Sequence, residues 1–261
     1  MPGLKPGMAK TAMADVRKPL ADRIALVTGA SRGIGAALAL QLAEAGAHVI
    51  AVARTVGGLE ELDDKIKKAG GTATLVPLDL KDLDGIARLA LALNERFGRL
   101  DVLVGNAGML NTPSPLPHIE PKVWNDLIAV NITANWQLIR TLDPLLRRAE
   151  AGRAVFMTSG LSYLARPYFG LYAVSKAALE IMVRTYAAET EQTNVRANLF
   201  SPGQTRTRMM ATAFPGVDPA TLPTPEDVAK AIMPLCLASC TENGRFYDFR
   251  AGKFLDFHPP A

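Results

Sequence analysis

The chain is poor in the residues that build disulfide scaffolds and metal centres. Of 261 residues only 2 are cysteine and 3 histidine. Cys236 and Cys240 stand four apart in a stretch that reads as helix, so both are expected on one face. A disulfide there would strain the helix, and two ligands are too few for a structural zinc, so the pair reads as small buried side chains. Such cysteine usage fits a reducing cytoplasm. No apolar run is long enough to cross a bilayer. The first twenty residues carry Lys5, Lys10, Arg17 and Lys18 without a signal-peptide core and read as a flexible tail, 1–20. Neither sign of charge dominates: 29 basic residues are scattered among 25 acidic ones, for a net +4. That balance lacks the basic stripe of a nucleic-acid binder, so neither nucleic acid nor membrane is expected as a partner. Internal repeats are also missing. With 49% hydrophobic residues the remainder, 21–261, suffices for one α/β domain.

The most informative stretch is Thr28-Gly29-Ala30-Ser31-Arg32-Gly33-Ile34-Gly35. It follows an apolar, partly β-branched run, 24–27, and precedes an Ala- and Leu-rich segment, 36–45, with few helix breakers. A strand therefore turns into a helix across Gly29, Gly33 and Gly35. Glycine lets the backbone turn tightly and approach a ligand, and the helix start aims unpaired N–H groups and a positive dipole end at it. This is a phosphate cradle with the spacing G-x-x-x-G-x-G. The second strand, 48–54, ends in Ala53 and Arg54, where an acid would accept a hydrogen bond from a free ribose hydroxyl. Arg54 and Arg32, with no carboxylate, favour a 2′-phosphate and hence NADP(H) over NAD(H), unless Arg54 only solvates a strand end.

Further along, strands are expected at 72–80, 100–104, 153–159 and 195–201, and helices at 60–69, 82–97 and 123–148. Gly70-Gly71 and Gly98 stop two of the helices. Strands and helices alternate over short connections, the pattern of a doubly wound, Rossmann-type parallel sheet of about seven strands. Ligands of such sheets lie beyond the carboxyl ends of the strands, where Asp79 and the turn Gly105-Asn106-Ala107-Gly108 fall. Asn131 and Asn135 stand mid-helix, as a surface choice or as a distortion with a use. His118, in a proline-rich loop, either reaches a substrate or is simply solvated. Residues 204–224 combine Met209, Met210, Phe214 and prolines, as an adaptable apolar lid or as ordinary core. Thr224 reads as the cap of a following helix, with Pro225 in its first turn. Arg166, in the loop before Tyr172, is a weaker candidate for greeting an acidic substrate.

Thirteen residues beyond Ser159 at a strand end comes Tyr172, and four further on Lys176. On a helix the two share a face one turn apart. An ammonium so close is expected to favour the phenolate and bring the tyrosine, ordinarily near 10, toward neutrality as a general acid and base. Ser159 is placed to hydrogen-bond a carbonyl oxygen beside the phenol. Of the five tyrosines only Tyr172 has a lysine four residues on.

These pieces together resemble the short-chain dehydrogenase/reductase family over about residues 20–255. The resemblance rests on the glycine turn, Asp79, Asn106-Ala107-Gly108, Asn131, Ser159, Tyr172 with Lys176, and Pro202-Gly203 with Thr207. It implies that Tyr172 is the acid or base, that Lys176 also bonds the nicotinamide ribose, and that Ser159 steadies the substrate oxygen. It further implies that Asn131 holds a water relaying protons through Lys176. Asp79 and Leu80 would meet the adenine, and Ser31 and Ile34 the phosphates. The Thr205 backbone and Thr207 side chain would meet the nicotinamide amide. The stretch 202–226 is similar to a bacterial subgroup of carbonyl or oxoacyl reductases, and the family implies a small carbonyl or alcohol substrate and a homodimer or homotetramer. Two departures stand out: Gly105 replaces a frequent asparagine, and Ala251-Gly252-Lys253 replaces a frequent Asp-Gly-Gly. The rival function is a regulator that binds NADP without catalysis.

Overall fold

The computed structural model describes residues 18–257; most of the expected 1–20 tail lies outside them. Eight strands form one sheet in the order β3-β2-β1-β4-β5-β6-β7-β8. They are β1 Ile24–Thr28, β2 His48–Ala53, β3 Thr72–Pro77, β4 Val102–Gly105, β5 Arg153–Met157, β6 Arg196–Ser201, β7 Phe246–Asp248 and β8 Lys253–Leu255. All pairings are parallel except the last, in which β8 returns antiparallel on β7. This hairpin makes the count one more than expected, and its second strand begins at Lys253 of the atypical Ala-Gly-Lys ending.

Each residue of β1, β4 and β5 is buried, as a sheet covered on both faces requires. On one face helices α1 Gly33–Glu44, α2 Val56–Lys68 and, later in the chain, α8 Pro225–Cys236 pack through Leu38, Leu42, Leu59, Ile66 and Ile232. On the other lie α3 Leu83–Phe97, α5 Ala134–Arg148 and α6 Gly170–Glu189, through Ile86, Leu138, Leu142, Leu179 and Val183. Two shorter helices, α4 Pro121–Ile128 and α7 Arg208–Ala213, flank the carboxyl edge. Among the described residues no helix is long and apolar enough to cross a membrane.

Local signals set most ends. Gly98 closes α3 with φ +70, and Gly70, just beyond α2, has φ +75. Thr224 and Asp227 form a reciprocal capping box on α8, whose first residue is Pro225. The cysteine reading needs correction, because α8 stops at Cys236, Leu237 turns to extended backbone, and Cys240 sits in the following turn. Both thiols are free, but they do not share a helix face.

The helix expected at 123–148 is interrupted. Between α4 and α5 runs one π-helical turn, Ala129–Thr133, centred on Asn131. The Asn135 side chain donates to the Asn131 carbonyl at 2.9 Å, while the Asn131 amide is drawn sideways onto Met109. The mid-helix asparagines are thus a distortion, of the kind that recurs at functional sites.

Candidate active site

The strand order reverses direction between β1 and β4, and there the two strand ends are clasped. Thr28 Oγ1 donates to the Val104 carbonyl at 3.2 Å and accepts from the Asn106 and Ala107 amides, each at 3.0 Å. Asn106 Nδ2 returns a bond to the Thr28 carbonyl at 2.8 Å. Gly105 fits because a Cβ there would come within 2.4 Å of Phe156 and 2.6 Å of Asn135. Thr28 and Asn106 brace the two strand ends without a side chain at position 105.

Over this clasp opens a cleft of about 620 Å³. Its floor is the glycine turn. A Cβ on Gly35 would sit 2.4 Å from the Gly29 carbonyl oxygen, and Gly29 and Gly33 have φ of +67 and +58, so side chains are excluded by space and by backbone. The N-cap of α1 is Arg32, which makes no side-chain cap, and the first turn holds no acid. The opening N–H groups and the positive dipole end therefore face the cleft uncompensated, beside Ser31 and Ile34. Arg32 and Arg54 line the wall, as do Arg206 and Arg208, two cations that sequence reading missed although they flank the expected Thr207. Arg54 lies 3.9 Å from Asp79, but both are well exposed, and such a pair is worth under about 1 kcal/mol. The pair leaves Arg54 available to an incoming anion. A phosphate-bearing dinucleotide fits a floor without side chains, a free helix start and a cationic rim.

The reactive residues meet at the other end. Asp79, Leu80, Asn106, Ala107, Gly108, Pro202 and Thr207 line the walls, and Tyr172 and Lys176 stand among them. Both come from the first two turns of α6, which begins directly after Phe169. Lys176 Nζ lies over the Tyr172 ring, 5.6 Å from its centroid, and donates to the Met157 carbonyl at 2.7 Å. Ser159, just off the cleft wall, lies close enough to the phenol to favour its ionised form by hydrogen bonding, while its Oγ accepts from the Leu161 amide at 3.2 Å. Asn131 is held behind the wall: its Oδ1 accepts from the Met109 amide at 2.7 Å, and its Nδ2 donates to the Met109 carbonyl at 2.9 Å and to Ser175 at 3.0 Å. Gly203 and Thr205 also lie off the wall. Gly203 turns at φ +63 against Arg250, and Thr205 Oγ1 donates to the Pro202 carbonyl at 3.2 Å.

The electrostatics run against one expectation. Burial pushes the Tyr172 phenol up to about 12, with the Ser159 hydrogen bond opposing, and brings Lys176 down to about 8. The cation sits over the ring face with its ammonium committed to a backbone carbonyl, so desolvation outweighs its pull on the phenol. His118 lies in a 3-10 turn, exposed and away from the cleft lining. Arg166 packs its guanidinium over Phe169 at 5.4 Å and Phe214 at 4.8 Å, and those rings stack 5.2 Å apart. Phe214 thereby ties the stretch after α7 to the head of α6, while Met209 and Thr212 of α7 look into the cleft.

A doubly wound sheet with a bare helix start over its reversal point is the architecture of dinucleotide-binding α/β proteins. A family model described as short chain dehydrogenase matches residues 23–218. The uncharacterized oxidoreductase YciK of Escherichia coli K12 is 38% identical over 242 residues, 90% of this chain and 94% of that protein. A short-chain dehydrogenase of Shigella flexneri 2a, solved complexed with NADP, superposes with a TM-score of 0.85 at 36% identity, over 89% of this chain and 98% of the other. Another, from Escherichia coli CFT073 and complexed with NADPH, does so with a TM-score of 0.81 at 36% identity, over 89% and 98%. The chain belongs to the short-chain dehydrogenase/reductase family of oxidoreductases.

Proposed function

We propose that this chain reduces a small carbonyl compound with NADPH, Tyr172 acting as general acid, and that the reverse oxidation uses the same residue as base. The observation that carries the reading is the meeting of Tyr172 and Lys176 at one end of a cleft whose other end is the glycine turn, with Ser159 beside the phenol just off the cleft wall. NADPH, when bound, supplies the hydride that reaches the carbonyl carbon. Ser159 hydrogen-bonds the carbonyl oxygen and holds it at the phenol. Tyr172 gives that oxygen its proton as charge develops there, and a phenol at about 12 is fully protonated at neutral pH, which suits reduction more than oxidation. Lys176 grips the ribose and returns a proton to Tyr172, and Asn131 shapes the path by which solvent resupplies it.

For the cofactor, the amides from Ser31 to Gly35 hold the pyrophosphate, Arg32 and Arg54 the 2′-phosphate, and Asp79 with Leu80 the adenine. Asn106, Ala107 and Gly108 pack along the ribose, and Pro202 and Thr207 on the wall meet the nicotinamide amide, with Gly203 and Thr205 shaping that backbone from behind the wall. Residues 204–224 close over the substrate as a lid, an assignment supported by Met209 and Thr212 on the cleft wall. Exposed Leu91, Trp136, Val174 and Ile181 on α3, α5 and α6 support a homodimer or homotetramer.

A panel of carbonyl compounds with NADPH, followed by absorbance loss, tests the activity. Tight NADPH binding with no carbonyl reduced would favour a non-catalytic regulator instead. The cofactor choice has its own test. Each guanidinium makes a charge-assisted bond worth about 1.5–3 kcal/mol. Arg32→Ala with Arg54→Ala is therefore expected to raise the KM for NADPH by about 10²- to 10⁴-fold, and that for NADH by no more than a few fold. Equal losses with both cofactors would refute the phosphate assignment.

A further inference from the structure

Tyr172 and Lys176 continue one turn further along α6 into Glu180, which is also buried, 7% exposed. The last residue of β5 and the two after it face these three. Ser159 partners Tyr172, the Met157 carbonyl accepts from Lys176 Nζ at 2.7 Å, and Thr158 Oγ1 donates to Glu180 Oε1 at 2.5 Å. Three consecutive residues thus each engage one member of a tyrosine–lysine–glutamate series spaced by one helical turn. A carboxyl in this interior has a use only if its charge or its hydrogen bond is needed, since burial otherwise disfavours it.

We infer that Glu180 is a positioning residue of the reaction: its carboxylate, anchored by Thr158, keeps Lys176 protonated and so sets the upper pH limit at which the lysine serves Tyr172. The groups around it are few. Burial has the largest influence and holds the Glu180 carboxyl above the ordinary carboxylate value, while the Thr158 hydroxyl after β5 and Lys176 and Arg184 on α6 favour its charged form. The Tyr163 phenol feels its charge from the loop. Lys176 in turn is pushed down by burial and pulled up by Glu180.

The inference rests on the proposed roles of Tyr172 and Lys176, and its test reads the lysine directly. In protein carrying ¹³C-labelled lysine and no cofactor, the Lys176 signal, assigned by its loss in Lys176→Met, is titrated by NMR. In Glu180→Gln the midpoint is expected to fall by about one pH unit, and the alkaline limb of kcat/KM to fall with it. Thr158→Val, which frees the carboxyl from its anchor, is expected to move the midpoint the same way by less. A midpoint unmoved or raised in Glu180→Gln overturns the inference, and leaves the tyrosine mechanism standing if Tyr172→Phe is still inactive. A displaced midpoint with full activity in Tyr172→Phe would overturn the mechanism instead.

Discussion

Tyr172→Phe is expected to lose turnover by on the order of 10³-fold or more, while its Kd for NADPH stays within a few fold of the parent. The substitution removes one oxygen and keeps the ring. The face that receives Lys176 Nζ at 5.6 Å survives, and the lysine keeps its bond to the Met157 carbonyl, so the wall of the cleft is preserved. What disappears is the hydroxyl beside Ser159. The Thr158 hydroxyl, next to that serine and on the cleft wall, is committed to Glu180. Lys176 is also on the cleft wall, but its ammonium is committed to the Met157 carbonyl at 2.7 Å. Steady-state rates on a carbonyl that the parent reduces, with a fluorescence titration of NADPH, separate the two effects. A variant that keeps a tenth of the parental rate would remove Tyr172 from the chemistry.

Why this tyrosine was legible while its acidity was not is a matter of which interactions are local. Gly29, Gly33 and Gly35 are written in the sequence because each meets a backbone demand that no other residue fulfils, positive φ at two and a 2.4 Å approach at the third. Tyr172 and Lys176 stood out because four residues are one turn of any helix. The parallel sheet followed from alternation alone. The acidity depends instead on dehydration by elements distant in the chain, and spacing cannot say whether an ammonium points at a hydroxyl or, as here, at the carbonyl of Met157. The same holds for Asn131, whose π-helical turn is set by a side-chain bond to Met109, 22 residues earlier. β8 escaped notice because a three-residue strand has too few positions to show a period. Arg206, Arg208 and Glu180 carried usable signals, two basic residues flanking Thr207 and a third member at the spacing of Tyr172 and Lys176, that went unread.

Lys176→Met is expected to abolish most turnover and to change how the stability of the resting protein depends on pH, because it removes a dehydrated ammonium while leaving the Glu180 carboxyl and the Met157 carbonyl without their partner. Burial moves Lys176 from 10.5 to about 8. That shift corresponds to a net cost on the order of 3 kcal/mol for holding the lysine protonated at this site. Methionine fills similar volume without a charge to desolvate. The sign can be checked by pH. Because the folded value lies below the unfolded one, the unfolded chain binds the extra proton between about 8 and 10.5, and this lysine's penalty is complete below that window and gone above it. Parental stability should therefore gain on that of Lys176→Met as pH rises from 7 to 10, moving the Tm difference by several degrees in the parent's favour. Tyr172, raised from 10 to about 12, acts in the opposite sense at higher pH, but it is present in both proteins and drops out of the difference. Paired melting curves at stepped pH measure it. A gap that stays constant would mean that Lys176 is not dehydrated in solution, and the same dehydration is what holds the Tyr172 proton in place for delivery.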